Sequence, residues 1–180
     1  MPRGPIGNEE LIRIVPIAQV EPQAVEQLLD RAFGTDRHGR TAYRIRDTVS
    51  AIPGLSFAAL DDGALVGTIQ CWPVLFDADD GRDAPLVMVG PVAVEPARQR
   101  DGIGRELTQY ALDTAARLGA ADALMLIGDP EYYGRFFGFT AARTAAWRVP
   151  GPVERHRLLA RGNAVPDGAG MLGPRITVPA

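Results

Sequence analysis

The stretch VAVEPARQRDGIGREL, residues 92–107, decides the fold. It begins with the residues of a buried strand and ends with the first turn of an amphipathic helix, and Gly102 and Gly104 lie where the two meet. The first N–H groups of a helix have no intrahelical partners, and glycine has no Cβ to keep a ligand away from the backbone. Because several arginines lie in the same stretch, this junction is predicted to bind a phosphate or diphosphate.

Two familiar phosphate-binding loops do not fit this stretch. A nucleoside-triphosphate loop needs a glycine, four residues and then Gly-Lys-Ser/Thr, and the chain contains no such string. The dinucleotide-binding fingerprint needs a glycine at the position of Gln99 and an early strand–helix–strand unit around it. From the residues alone, the alternative to an anion site is an ordinary strand-to-helix turn in which glycines permit tight packing.

Hydrophobic spacing on both sides of this stretch predicts a succession of strands and helices. The predicted strands are residues 11–17, the two arms of a hairpin around Asp61-Asp62-Gly63, and residues 86–94, 121–129 and 140–149. The predicted helices are residues 22–33, 41–50 and 102–118, and residues 130–139 are predicted to form a short helix or a turn. This order indicates an α/β (α+β) fold with a central mixed, mostly antiparallel sheet flanked by helices. We expect a single domain over residues 1–180, with the Pro/Gly-rich residues 150–180 packed on it.

The helix after the opening stretch has the clearest apolar stripe in the chain. Its predicted buried positions are Ile103, Leu107, Ala111, Ala115 and Leu118. A stripe of this kind packs one side of a helix against a sheet.

Charge and composition exclude several classes of function. With 19 basic and 22 acidic residues the net charge is -3, so the chain has no general attraction for nucleic acid or for an anionic membrane. One cysteine, Cys71, cannot form an internal disulfide, and two histidines without a thiol cluster do not make a zinc site. Residues 1–10 lack the apolar core of a signal peptide. We therefore expect a soluble, cytoplasmic protein without a bound metal.

Residues 92–107 resemble the central segment of the GNAT superfamily of acyl-CoA-dependent N-acetyltransferases. The Gln/Arg-x-x-Gly-x-Gly/Ala pattern of that family falls on Gln99, Gly102 and Gly104. LIGDPEYYGRFFGF, residues 126–139, is similar to a segment of the YhbS-like branch, and so is VPGPVERHRLLA in the tail. The resemblance is strong from residue 86 to residue 139 and weak before residue 55.

The resemblance implies a sheet whose central strands splay apart, with the pantetheine arm of acetyl-CoA bonded along the first of them. Strand residues would supply backbone contacts to the arm, and the loop and helix start would hold the diphosphate. The implied cofactor-binding residues are Val92, Ala93, Val94, Gln99, Arg100, Asp101, Gly102, Ile103, Gly104 and Arg105. Asp101 occupies a position that is often basic in the family, and we expect its carboxylate to cap the helix.

The resemblance also implies transfer of an acetyl group from acetyl-CoA to a primary amine of a small molecule or peptide, by direct attack. Tyr133 is the implied acid that protonates the leaving thiolate. Tyr132 is held in reserve, because the extra phenylalanine in YYGRFFGF places Gly138 five residues after Tyr133, where four is common. The phenylalanines at 136, 137 and 139 are interpreted as core residues.

The general base and the acceptor are left open by the sequence. The strand at residues 86–94 has no carboxylate where some relatives keep their base, and the possible substitutes are Glu95, Asp129, Glu131 and His38. Because this strand has no such carboxylate, a second hypothesis is a catalytically silent acyl-CoA-binding sensor or interaction module. An exposed edge strand near the tail could also support a homodimer.

Overall fold

The structure is a computed structural model that describes residues 12–176. Within them the strands are β1 (Ile12–Pro16), β2 (Phe57–Asp61), β3 (Ala64–Ala78), β4 (Ala84–Val94), β5 (Leu124–Ile127), β6 (Trp147–Arg148), β7 (Leu158–Arg161) and β8 (Gly170–Pro174). The α-helices are α1 (Pro22–Phe33), α2 (Thr41–Ile45), α3 (Ile103–Arg117) and α4 (Pro130–Phe137). No helix in residues 12–176 has the length and apolar character needed to cross a membrane.

All these strands belong to one mixed sheet. Its main path runs β1-β2-β3-β4-β5-β7, while β8 pairs with the far end of β3 and β6 pairs with β8. The β4–β5 and β6–β8 pairs are parallel, and the remaining pairs are antiparallel. The prediction of a mixed, mostly antiparallel sheet flanked by helices is confirmed.

Helices α1 and α3 cover opposite faces of β4. The buried residues of α1, among them Leu28 and Leu29, pack against Ala93, whereas Val92 and Val94 pack with the cluster that contains the α3 stripe. Successive side chains of a strand point to opposite faces, so the alternation along β4 sends its neighbouring residues to different helices.

The stripe predicted for α3 is correct except at its last position. Ile103, Leu107, Ala111 and Ala115 are buried, but Leu118 is 63% exposed. The helix ends at Arg117, so Leu118 lies beyond the last residue that keeps the helical spacing toward the sheet.

The central strands β4 and β5 splay apart, which is the feature that opens the site. Their pairing is limited to Val87 with Leu124 and Met88 with Met125. Beyond Met88, β4 continues along β3, whereas β5 continues along β7. The β3–β4 register shifts between Ile69 and Cys71, and a bulge of this kind bends a strand away from its neighbour. Within residues 12–176, one edge of β4 after Met88 therefore has no neighbouring strand.

Several other predicted elements differ in extent from those in the structure. The hairpin around residues 61–63 is present, the helix at 41–50 ends at Ile45, and the strand at 140–149 is reduced to β6. Leu11, in the first predicted strand, lies outside the described residues. Strands β7 and β8 were not predicted. Each has no more than five residues, and their partners β5 and β3 set their extended conformation.

Candidate active site

The start of α3 presents backbone N–H groups that have no backbone acceptor. Helix α3 begins at Ile103 after Gly102, and the first of its amides with a helical partner is that of Glu106, which donates to the Gly102 oxygen at 3.1 Å. Within residues 12–176 the amides of residues 102–105 make no backbone hydrogen bond. Gly102, Gly104 and other residues here line a cavity of about 460 Å³, which we call the helix-end cavity. Free amides at the positive end of a helix dipole fit a diphosphate group.

The two glycines of this junction do different things. Gly102 has a φ of +79°, in the left-handed region, and a Cβ there would meet nothing within 4 Å. A Cβ on Gly104 would lie 3.3 Å from Val94 Cγ2 and 3.5 Å from Val92 Cγ1. Gly102 is therefore required by the backbone conformation, while Gly104 lets α3 approach β4 closely.

The positive charge at this junction comes from fewer arginines than the sequence offers. Arg100 and Arg105 line the helix-end cavity. The guanidinium of Arg98 instead donates to the carboxylates of Asp101 and Asp61. The prediction that Asp101 caps α3 is wrong, because the residue at the N-cap position is Gly102 and the Asp101 carboxylate accepts a hydrogen bond from Arg98 instead.

Along its free edge, β4 directs the backbone N–H and C=O groups of alternate residues into the gap between β4 and β5. The Glu95 amide donates to the Val66 oxygen at 2.8 Å, so Glu95 and Val66 form a hydrogen-bonded pair that continues the antiparallel β3–β4 ladder. By the alternation of such ladders, Ala93 bonds to β3, whereas Val92 and Val94 direct their N–H and C=O groups to the open side. The Ala93 side chain is buried against α1, so neither its side chain nor its backbone polar groups are directed into the gap.

Most residues implied by the family resemblance line the helix-end cavity. Those that do are Val92, Val94, Gln99, Arg100, Gly102, Gly104, Arg105 and Tyr133. The exceptions are Ala93, Asp101 and Ile103, and the side chain of Ile103 is buried in the core under α3. Ile103 therefore contributes its backbone amide, and not its side chain, to the anion-binding arrangement.

Tyr133 lies where the helix-end cavity meets a larger one. The larger cavity, of about 790 Å³, lies between the splayed ends of β4 and β5 and is closed by residues 37–46 and 152–157; we call it the inter-strand cavity. Tyr133 lines both cavities, whereas Tyr132 lines only the helix-end cavity. Burial, together with the neighbouring Tyr132, raises the pKa of Tyr133 to about 12, so the phenol keeps its proton at neutral pH.

A glycine holds the Tyr133 ring in this position. A Cβ on Gly128 would lie 2.5 Å from Cε2 of Tyr133 and 2.8 Å from Cδ2. The ring therefore packs directly on the backbone at the end of β5. Asp129, the next residue, caps α4 by accepting a hydrogen bond from the Glu131 amide at 3.0 Å, which fixes the start of the helix that carries the tyrosine.

The extra phenylalanine of the YYGRFFGF segment belongs to the site. Phe136 is partly exposed and lines the helix-end cavity, and the guanidinium carbon of Arg105 lies 4.0 Å from its ring centroid. Phe137 and Phe139 are buried in the core, as interpreted from the sequence, whereas the same interpretation of Phe136 is wrong. A cation over an aromatic face is held in place, so Phe136 orients Arg105 beside the helix start.

Two carboxylates line the inter-strand cavity. Asp129 is one of the candidate bases taken from the sequence, and Glu154 was missed because it lies in the tail, far along the chain from the strand–helix motif. Of the other candidates, Glu95 is paired with Arg31 at 2.8 Å, while Glu131 and His38 do not line this cavity. Within residues 12–176 no cluster of His, Cys, Asp and Glu is arranged to hold a metal ion.

Arginines from residues 37–46 form one wall of the inter-strand cavity, and the sequence analysis did not identify them. Arg37 and Arg46 are buried, and both line the cavity together with Arg40. These residues belong to a segment that carries no recognisable motif, so only the folded structure brings them to the site.

The splayed strands, the free edge of β4 and the unpaired amides of α3 form an arrangement whose hydrogen-bonding groups fit a long ligand with an amide-bearing arm and a diphosphate. The chain belongs to the acetyltransferase (GNAT) family, whose model matches residues 23–139. It is 32% identical to the uncharacterized N-acetyltransferase YhbS of Escherichia coli (strain K12) over 153 residues, which cover 82% of this chain and 87% of YhbS.

Solved structures agree with this assignment. The structure of YhbS from Escherichia coli in complex with CoA matches with a TM-score of 0.66 and 26% identity, over 92% of this chain and 89% of that one. A GNAT family acetyltransferase from Brucella melitensis in complex with acetyl-CoA matches with a TM-score of 0.62 and 27% identity, over 91% of this chain and 96% of that one. The expected GNAT fold is thereby confirmed.

Proposed function

We propose that the chain is an N-acetyltransferase that transfers an acetyl group from acetyl-CoA to a primary amine of a small molecule or peptide by direct attack. The observation that carries the proposal is the position of Tyr133, where the helix-end cavity meets the inter-strand cavity. A group at that junction can contact both a thioester that enters from the helix-end cavity and an amine that enters from the inter-strand cavity.

The residues around the helix-end cavity fit acetyl-CoA. Val92 and Val94 offer free backbone donors and acceptors to a pantetheine arm, as an edge strand offers them to a peptide. The amides of residues 102–105, with Arg100 and Arg105, suit the diphosphate. When bound, acetyl-CoA supplies an activated acetyl group and a thiolate leaving group. The relatives that contain CoA and acetyl-CoA support this cosubstrate.

Proton transfer is assigned to groups at the cavity junction and in the inter-strand cavity. A lysine-like amine has an unperturbed pKa of about 10.4, so forming its neutral state at pH 7 costs about 4.6 kcal/mol. Asp129 and Glu154 line the inter-strand cavity and are the candidates to accept the amine proton. Tyr133, whose pKa is raised to about 12, keeps its proton and can donate it to the leaving thiolate.

The test is release of free CoA thiol when the purified protein is mixed with acetyl-CoA and a library of primary amines. Acetyl-CoA should also raise the melting temperature, because a ligand at a hundred times its Kd stabilises the folded state by about 2.7 kcal/mol. Stabilisation without thiol release above background would favour the alternative, a silent acyl-CoA sensor. Absence of any stabilisation would remove both functions.

Phe136→Leu is predicted to weaken acetyl-CoA binding by about twofold to fivefold with little change in kcat. Leucine keeps apolar bulk but removes the aromatic face that holds Arg105, and an exposed cation–π contact contributes about 0.5–1 kcal/mol. The measurement is a Kd for CoA by isothermal titration. The control is Phe33→Leu, which also alters an aromatic residue lining this cavity, but one whose cation–π contact is with Arg40. An equal loss in both variants would contradict the role of the Arg105 contact.

A further inference from the structure

A buried arginine lines the inter-strand cavity without a carboxylate of its own. Arg46 is 5% exposed, and its guanidinium carbon lies 4.0 Å from the ring centroid of Tyr43 and 3.9 Å from that of Trp72. The side chain is thus held between two aromatic rings while it lines the cavity. Stacking of this kind fixes the orientation of a guanidinium but supplies no hydrogen-bond acceptor.

The acidic residues near Arg46 are already engaged. Arg37 takes both carboxylates of the adjacent face of α1, bonding to Glu26 and to Asp30, and it also donates to the hydroxyl of Tyr43. Within residues 12–176, Nη1 of Arg46 has no hydrogen-bond partner. Burial lowers the pKa of Arg46 to about 10 against the opposing effect of Tyr43, and nearby Arg37 contributes to the lowering. A buried charge that lacks a partner is costly to the fold, which points to a partner that arrives from outside the chain.

We infer that Arg46 receives a carboxylate of the acceptor, so that the amine substrates of this site are amines that also carry a carboxylate, such as amino acids. This inference rests on the proposed acetyl transfer. The planar guanidinium matches a carboxylate in a two-point hydrogen bond, and its Nη1 has no partner within residues 12–176 that a carboxylate would have to displace.

The charge of the inter-strand cavity favours the same class of ligand. Besides Arg46, the cavity is lined by Arg37, Arg40 and Arg157, whereas its carboxylates are Asp129 and Glu154. Glu154 pairs with His156 at 3.4 Å, and Asp129 is bonded to the start of α4. Both carboxylates are largely exposed, while Arg46 is buried, so the least hydrated charge in this cavity is positive.

A purely structural role for Arg46 makes a different prediction. If Arg46 served only to pack Tyr43 against Trp72, its replacement would lower the melting temperature. If Arg46 instead binds an external anion, Arg46→Met should leave the melting temperature of the ligand-free protein unchanged or raise it. Methionine fills similar space against the rings without a buried charge.

The kinetic test compares ω-amino acids with the matching ω-amino amides as acceptors, by release of CoA thiol. In the wild type kcat/KM should favour the acid, and Arg46→Met should reduce this preference at least about tenfold, through a higher KM for the acid. Taking the ratio between wild type and variant cancels the intrinsic reactivity of each amine. Arg44→Gln, which removes an exposed charge from α2 two residues before Arg46 and does not line the cavity, should keep the preference. An unchanged preference in Arg46→Met would overturn the inference.

A binding measurement separates failure of this inference from failure of acetyl transfer. Trp72 lies on Arg46, so its fluorescence should change when an N-acetyl amino acid binds in the presence of CoA, and the matching amide should bind at least about tenfold more weakly. The response should be lost in Arg46→Met. Carboxylate-dependent binding without turnover would support the carboxylate site and reject acetyl transfer, whereas turnover without carboxylate preference would do the reverse.

Arg46→Lys covers the case in which the methionine variant does not fold. Lysine keeps the charge but loses the planar fork, so the acid should retain part of its advantage over the amide. A lysine variant with a lowered melting temperature and a full wild-type preference would assign Arg46 to packing and overturn the inference.

Discussion

Tyr133→Phe should lower kcat by about a hundredfold or more while the Kd for acetyl-CoA changes by less than about twofold. The phenyl ring would still fit over Gly128, where the side chain already packs closely, so the substitution removes the hydroxyl and little else. Loss of the proton donor raises the barrier to departure of the thiolate, and general acid catalysis is typically worth 10²- to 10⁴-fold. The measurement is steady-state thiol release together with a calorimetric Kd.

Two other tyrosines make this result specific. Tyr110→Phe, on the outer side of α3 against Phe57, is the matched control and should keep the wild-type kcat. Tyr132→Phe should affect kcat far less than Tyr133→Phe, because Tyr132 lines the helix-end cavity but not the inter-strand cavity. If Tyr132→Phe were the more damaging change, the reserve tyrosine would be the acid. Equal kcat in Tyr133→Phe and the wild type would show that Tyr133 is not the acid that protonates the thiolate.

The parts of the fold that sequence predicts are those whose pattern is long and continuous. Helix α3 has an apolar stripe over several turns, and β4 is an uninterrupted apolar run, so both were located correctly. Strands β7 and β8 are short, and β8 contains two glycines and a proline. Their extended conformation comes from pairing with β5 and β3, which lie far away in the sequence, and no local pattern records that pairing.

The two cavities of the candidate site also differ in how far the sequence predicts them. The helix-end cavity is built mainly from β4 and the start of α3, which are neighbours in sequence, so most of the residues that the resemblance implies line one cavity. The inter-strand cavity draws its walls from residues 37–46, from the end of β5 and from the tail. Whether an arginine there is paired depends on competition for the acids of α1, which Arg37 takes. That competition is a property of the packed structure.

Gly102→Val should weaken acetyl-CoA binding by about a hundredfold. A β-branched residue cannot adopt the φ of +79° without strain, so the turn before α3 must change and the amides of residues 102–105 must move. Each hydrogen bond to a charged group contributes about 1.5–3 kcal/mol, so misplacing one or two of them is enough for a loss of this size. The measurement is a calorimetric Kd for CoA, beside the melting temperature of the ligand-free variant.

Gly119→Val is the matched control, because it imposes the same backbone strain away from the proposed diphosphate site. Gly119 follows the other end of α3 with a φ of +69°, and a Cβ there would also meet nothing within 4 Å. At 1.5 Å per residue the two glycines are separated by roughly 25 Å along the helix. Both variants should lose stability by a similar amount, about 1–2 kcal/mol, and only Gly102→Val should lose affinity for CoA. Equal affinities in the two variants would mean that the amides at the start of α3 do not hold the diphosphate. The anion would then have to be bound by Arg100 and Arg105 alone.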